Sequence, residues 1–313
     1  MDPLTEICAS LRVRRAMFTR IDAYAPWGWA SSGELVVKFV LVVRGAGVLM
    51  LPTEPVPVAL RGGDLFIMLD DTPYKMFDQS GSVLMDCIDV EKRRVGNYIR
   101  VGGDGALTTF VSGFFEISAL EAKPLFSVLP NFLLLKSEES RTRAFESVLE
   151  LLATETSQPG LGSEAMISRL FELLFIHAIR AYSSQYSAPK KGWLAAVVDR
   201  LLSEAIKEMH GNLANNWTLE ALAKAAGMSR SAFASRFRSV VGQTPLEYLT
   251  EWRMHKATLL IQRNDLSLSE IAQDVGYHSE AAFNRIFKRE VGTTPGAFRR
   301  DHSEQSPPAP LPL

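Results

Sequence analysis

The sequence predicts an α+β chain in several parts. A β-rich N-terminal domain folds as a sandwich or small barrel, a helical segment follows, and an all-α C-terminal domain carries two helix-turn-helix units. Three observations carry this expectation. Up to about Leu135, short β-branched runs alternate with turn residues. From Ser137 the apolar residues recur at helical spacing instead. In the last third, Leu219–Phe237 can be laid on Leu268–Phe287 at an offset of 49 residues that becomes 50 after a turn.

The β-region reads as follows. Glu34-Leu-Val-Val-Lys-Phe-Val-Leu-Val-Val43 is rich in β-branched residues and ends at Arg44-Gly-Ala-Gly47. Val48-Leu-Met-Leu51 comes next, then a proline-rich turn from Pro52 to Pro57. Arg61-Gly-Gly-Asp64 separates Val56–Leu60 from Leu65-Phe-Ile-Met-Leu69, and Asp70-Asp-Thr-Pro73, Ser80-Gly81 and Gly102-Gly-Asp-Gly105 are further turns. Many short strands at this spacing fit a sandwich or a small barrel.

In the helical segment, Phe145, Val148, Leu149 and Leu152 share one face, as do Ile167, Leu170, Phe171, Leu174 and Phe175. Ser157-Gln-Pro-Gly-Leu-Gly-Ser163 breaks the two helices, with Ser163 expected to cap the second. A helix pair this apolar needs a partner, either the β-domain or a second subunit. The polar stretch from Ser183 to Gly192 reads as a linker, and Ser306-Pro-Pro-Ala-Pro-Leu-Pro-Leu313 as a disordered tail. The expected divisions are 1–135, 136–190, 191–302 and 303–313, with helix-turn-helix units at about 218–239 and 267–289.

The repeat has a physical logic. Leu222-Ala223 falls on Ile271-Ala272 and Gly227 on Gly276; Phe233, Phe237, Gly242, Thr244 and Pro245 fall on Phe283, Phe287, Gly292, Thr294 and Pro295. Thr218 and Ser267 are placed to cap each first helix, after Trp217 and Leu266. Gly227 and Gly276 sit where a left-handed turn is needed, and Ser229 and Ser279 can cap the next helix. Each second helix buries its phenylalanines and turns the rest outward. A second helix of this kind lies in a DNA major groove, its N-terminal half facing base edges. The outward residues are Arg230, Ser231, Ala234, Ser235 and Arg236 in the first unit, and Ser279, Glu280, Ala281, Asn284, Arg285 and Lys288 in the second. Arginine can bond guanine in a bidentate way and serine can bond bases or phosphate. Arg238, Arg289, Arg299 and Arg300 are expected at phosphates. The alternative is a helical bundle whose charged faces are merely solvated.

Ala223-Lys-Ala-Ala-Gly-Met-Ser-Arg-Ser-Ala-Phe233, Ile271-Ala-Gln-Asp-Val-Gly-Tyr277, Phe283-Asn-Arg-Ile-Phe-Lys-Arg289 and Gly292-Thr-Thr-Pro-Gly-Ala-Phe298 resemble the two units of an AraC/XylS-type regulator over about Leu213 to Arg300. The resemblance implies a monomer that places both units in successive major grooves of double-stranded promoter DNA, acting as an activator with RNA polymerase. His278 and Glu280 depart from the pattern and could alter base preference. Leu60-Arg-Gly-Gly-Asp-Leu-Phe-Ile-Met-Leu69, Gly113-Phe-Phe115 and Pro124-Leu-Phe-Ser-Val-Leu-Pro130 resemble the cupin-type ligand domain of one branch of that family. This implies a cupin-like β-barrel, a small-molecule effector, and a homodimer formed through the helices at 138–186.

Composition narrows the remaining choices. Residues 1–189 hold 18 Lys/Arg against 22 Asp/Glu, and residues 190–313 hold 16 against 13, which fits a sensor joined to a nucleic-acid binder. Met1 to Ile21 is broken by charges and the longest apolar runs fall far short of the ~20 residues of a membrane span, so a cytoplasmic protein without a leader is expected. All five histidines lie at or after His177, so no histidine-based metal centre is expected in the barrel, nor any cofactor. Cys87, in the strand-like run Val83-Leu-Met-Asp-Cys-Ile88, reads as a buried thiol. Cys8 lies near Arg12 and Arg14, where a lowered thiol pKa is conceivable, and a redox role for Cys8 and Cys87 stays open. The barrel could instead bind a small organic molecule or serve only to dimerise. A rival of another class is a metal-independent cupin enzyme with an accessory helical domain.

Overall fold

The computed structural model describes residues 3–10, 13–33, 37–79, 81–117, 119–137, 143–185 and 191–303. The linker expected at Ser183–Gly192 lies in part, and the tail expected at 303–313 almost wholly, outside the described residues. Leu11–Ser187 form one unit, and Met1–Ser10 with Ala188–Leu313 form the other.

In chain order the first elements are α1 (Pro3–Ser10), β1 (Val13–Tyr24), β2 (Gly28–Ser31), β3 (Val37–Arg44), β4 (Ala46–Met50) and β5 (Val58–Arg61). β6 (Leu65–Met68), β7 (Tyr74–Phe77), β8 (Met85–Asp86), α2 (Cys87–Glu91), β9 (Tyr98–Gly102) and β10 (Leu107–Ile117) follow. The unit closes with α3 (Ala119–Phe126), β11 (Phe132–Leu135), α4 (Arg143–Ser157) and α5 (Ser163–Gln185). One sheet has the order β11-β6-β3-β10-β1-β9 and the other β5-β4-β7-β2-β8. Only β1–β9 and β2–β8 pair in parallel among the described strands.

Both sheets feed a shared core. Ile21, Val40, Val42, Phe66, Ile99 and Phe110 come from the larger sheet, and Trp29, Leu49, Leu60, Tyr74 and Met76 from the smaller. Trp27 sits among them, its ring 5.1 Å from Trp29 and 5.3 Å from Phe110. β3 explains its own unbroken apolar run. It is flanked by β6 and β10, so Val40 and Val42 face the core while Phe39, on the opposite face, meets Phe171 and Phe175 of α5 at 5.5 and 5.8 Å. The helix pair thus finds its partner on the outer face of the larger sheet. Gly113 of β10 makes room for it, because a Cβ there would stand 2.7 Å from the Phe171 ring.

Two expectations are corrected by the structure, and one strand is added. Ser163 is the first residue of α5 rather than its cap; its hydroxyl accepts the Gly160 N–H and donates to Glu155, closing the loop between α4 and α5. The 12-residue β1 was not singled out in the sequence; its Asp22 is buried and accepts a hydrogen bond from Thr109 Oγ1 at 2.8 Å. Finally, Cys87 is not in a strand: Asp86 accepts the Ile88 N–H at 2.8 Å and turns the chain into α2.

The second unit contains α6 (Trp193–Val198), α7 (Ser203–Gly211), α8 (Leu219–Ala225), α9 (Arg230–Val241), α10 (Pro245–Arg263), α11 (Leu268–Asp274), α12 (Glu280–Val291) and α13 (Pro295–Ser303). α1 joins it by packing against α7, with Ile7 buried.

Candidate nucleic-acid interface

Each helix-turn-helix unit begins at a side-chain cap. Thr218 Oγ1 accepts the Ala221 N–H ahead of α8, and Ser267 Oγ accepts the Glu270 N–H ahead of α11. Glu270 reciprocates by accepting the Ser267 N–H at 2.8 Å, which closes a capping box. The first helices end at Gly227 (φ +62°) and Gly276 (φ +84°), a backbone that glycine adopts without strain. The two turns match bond for bond: Gly227 and Met228 donate to Lys224 and Ala223, Gly276 and Tyr277 to Gln273 and Ala272. Ser229 and Ser279 then cap α9 and α12 through the N–H groups of Ala232 and Ala282. Met228 and Tyr277 are 49 residues apart and the caps 50, so His278 is the extra residue in the second turn.

Phe233 and Phe237 of α9, and Phe283 and Phe287 of α12, are fully buried, each pair with ring centroids 5.6 Å apart. Truncating any one to alanine is expected to cost about 3–5 kcal/mol. α10 is the axis the units share. Its Tyr248 receives Phe237 at 5.6 Å, and its Trp252 packs on Trp193 of α6 and His210 of α7. Arg253 ties the two units together. Its guanidinium donates to the Leu213 and Asn215 carbonyls ahead of α8, at 2.8 and 2.7 Å, and lies over the Tyr277 ring of the second turn at 5.6 Å. Burial pushes this guanidinium below its ordinary range, and the contacts with Tyr277 oppose that shift.

On α9, Arg230, Ser231, Ser235 and Arg238 are exposed and Ala234 is half-buried. Arg230 pairs with Glu220 of α8 at 2.9 Å, with both side chains mostly exposed, a contact worth little in water. Arg236 is engaged differently. Its Nη2 and Nε reach the two carboxylate oxygens of Asp199 at 2.7 and 3.2 Å. Burial raises the Asp199 carboxyl, but the Arg236 hydrogen bond and the N–H groups of Leu201 and Leu202 outweigh it and hold it below the usual range.

On α12 and its cap, Ser279, Glu280, Ala281, Arg285, Lys288 and Arg289 are exposed. Asn284 is half-buried, and its Oδ1 has no partner. Arg289 Nε bonds the neighbouring Glu290 at 2.7 Å. Arg299, expected at a phosphate, donates instead to the Leu266 carbonyl at 2.8 Å and braces α13 against the start of the second unit. Cys8 on α1 and Cys87 on α2 are half-buried and are not joined in a disulfide; one lies in each unit of the chain. Sequence reasoning passed over α6, α7, Asp199 and Arg253. The pattern Asp199-Arg-Leu-Leu202, an acid ahead of an apolar helical run, was the available signal for α7 and Asp199.

Comparison with known proteins accords with this arrangement. Residues 2–184 match the cupin family model and residues 222–301 a helix-turn-helix domain model. An AraC-like transcription regulator of Streptomyces antibioticus is 29% identical over 301 residues, covering 96% of this chain and 99% of that protein. The HTH-type transcriptional regulator AlkR of Acinetobacter baylyi is 27% identical over 308 residues, covering 96% and 99%. Among solved structures, the DNA-binding domain of AdpA, the global transcriptional factor, in complex with a target DNA is 33% identical; the match covers 35% of this chain and 98% of that one, with a TM-score of 0.34. The chain belongs to the AraC/XylS family of transcription regulators, with a cupin domain ahead of its helix-turn-helix domain.

Proposed function

We propose that this regulator binds promoter DNA by laying α9 and α12 in successive major grooves, and that a signal received by the cupin domain controls it. The observation that carries the reading is the paired architecture. Two units with matching caps and turns bury their phenylalanines, both touch α10, and the opposite faces of α9 and α12 are left to solvent. In this reading Ser231, Ser235, Asn284 and Arg285 face base edges, Ser279 and Glu280 border them, and Arg230, Arg238, Lys288 and Arg289 serve phosphates. The regulator acts as an activator beside RNA polymerase, as a homodimer. Leu151 on α4 and Met166 and Leu173 on α5 expose close to half of their surfaces, an apolar stripe that a second copy would cover. The cupin domain's signal is a small molecule or a thiol change at Cys8 or Cys87. It shifts the balance between DNA-competent and incompetent states.

Selection from random-sequence duplex DNA with the full chain, followed by binding across a salt series, tests this. A recovered motif, bound with a steep salt dependence, is expected. Recovery of no motif, with or without cell extract or oxidant, would contradict it. The rival reading as a cupin enzyme finds no support in the two relatives described above, which match nearly the whole chain and are named transcription regulators.

A further inference from the structure

Arg236 has the residue type and exposed helical position of a base reader, yet its geometry assigns it other work. Successive residues of an α-helix are turned by about 100°. Ser231 and Ser235 therefore share one face of α9, while Arg236 is turned away from them toward the flank that packs on α6. There it meets Asp199, the residue that ends α6. The Asp199 side chain is 11% exposed and is itself fixed, because Oδ1 also accepts the N–H groups of Leu201 at 2.9 Å and Leu202 at 3.1 Å. A second tie runs alongside, from the Gly192 N–H to the Val240 carbonyl at 3.0 Å. The Nε–Nη2 edge of the guanidinium is therefore occupied by a carboxylate in bidentate geometry, which fixes the side chain on the flank beside α6.

The internal repeat points the same way independently. With Phe233 on Phe283 and Phe237 on Phe287, Arg236 falls on Ile286, a half-buried apolar residue, while Ser235 falls on Arg285 and Ala234 on Asn284. The second unit uses the Arg236 position for packing. It places its long polar side chains where the first unit has Ala234 and Ser235.

We propose that Arg236 is a positioning residue: clamped by Asp199, it sets the rotation of α9 so that Ser231 and Ser235 face the groove, and the main base discrimination falls to Asn284 and Arg285 of α12. The inference rests on the DNA-binding reading above. It gives Asp199, an acid that would repel phosphate, a role in DNA binding.

The test uses the full chain and the duplex that the wild type selects. Asp199→Asn removes a negative charge near DNA, yet is expected to weaken binding about tenfold or more with an unchanged salt slope. Hydroxyl-radical protection should be lost over the first half-site and kept over the second. Asparagine keeps an oxygen for the Leu201 and Leu202 N–H groups, so hydrogen exchange over α7 to α13 of Asp199→Asn is expected to match wild type, which shows that the loss is not a general failure to fold. The proposal is overturned if Asp199→Asn binds as tightly as wild type while Arg236→Ala lowers the salt slope by about 0.9, the mark of one lost phosphate contact. It is equally overturned if Arg236→Ala relaxes preference at a single guanine. A wild-type chain that selects no duplex overturns the DNA-binding reading as well, which separates the two failures.

Discussion

The two turn glycines occupy the same place in the repeat, and the structure predicts that they respond differently to alanine. At Gly227 (φ +62°) a Cβ would meet nothing within 4 Å. Alanine in left-handed backbone costs about 1–2 kcal/mol, and the stiffer unfolded chain returns about 0.4–1 of that, so Gly227→Ala should cost about 1 kcal/mol. At Gly276 (φ +84°) the same backbone penalty applies, but the Cβ would stand 2.7 Å from the Ala214 carbonyl oxygen and 2.9 Å from Ala214 Cα. Those are backbone atoms, so the segment ahead of α8 must move. Leu213 and Asn215 on either side of Ala214 hold the Arg253 guanidinium through their carbonyls. Hydrogen bonds to a charged donor are worth about 1.5–3 kcal/mol each, which brings Gly276→Ala to about 3–5 kcal/mol. Hydrogen exchange read on peptides from α8 to α13 of the full chain measures the loss for this unit alone. Equal losses for the two variants, or a larger one at Gly227, would refute the contact between the second turn and the segment before α8.

Three further expectations follow from the same geometry. Arg253→Met removes both carbonyl contacts and should destabilise the C-terminal unit by about 2–4 kcal/mol, weakening DNA binding at both half-sites because the two units share that clamp; loss at one half-site only would argue against it. Ser267→Ala removes the cap of α11 and should cost about 1 kcal/mol by the same exchange measurement, with Thr218→Ala similar. Glu247 is held below its ordinary value by the Thr244 N–H and hydroxyl, and Glu270 by the Ser267 hydroxyl and N–H. A carboxyl lowered on folding stabilises above its unfolded pKa of about 4.3 and loses that contribution as pH falls through the folded value. The C-terminal unit should therefore weaken below about pH 4, and Glu247→Gln with Glu270→Gln should flatten that acid limb.

The helix-turn-helix units were legible in the sequence because their determinants are local. Thr218, Ser229, Ser267 and Ser279 cap helices within three residues of themselves, and Gly227 and Gly276 end helices by backbone conformation alone. The phenylalanine spacing then fixed which face is core. What could not be read depends on distant partners. Arg236 looked like a reader because its partner Asp199 is 37 residues earlier, and Arg299 looked free because Leu266 is 33 residues earlier. Asp22 of β1 could not be read as buried, because the Thr109 hydroxyl that satisfies it lies 87 residues away. The docking of α4 and α5 was open for the same reason. Their apolar face was clear, but only the pairing of β3 between β6 and β10 puts Phe39 opposite Phe171 and Phe175.

The most direct test of the account is hydroxyl-radical footprinting of the full chain on its selected duplex, before and after inserting five base pairs between the half-sites. Because α10 carries both units, the account predicts two protected patches on one face of the DNA, about one helical turn or 34 Å apart, and loss of one patch with at least tenfold weaker binding after the insertion. A single patch, or two patches whose protection is indifferent to the insertion, would contradict it.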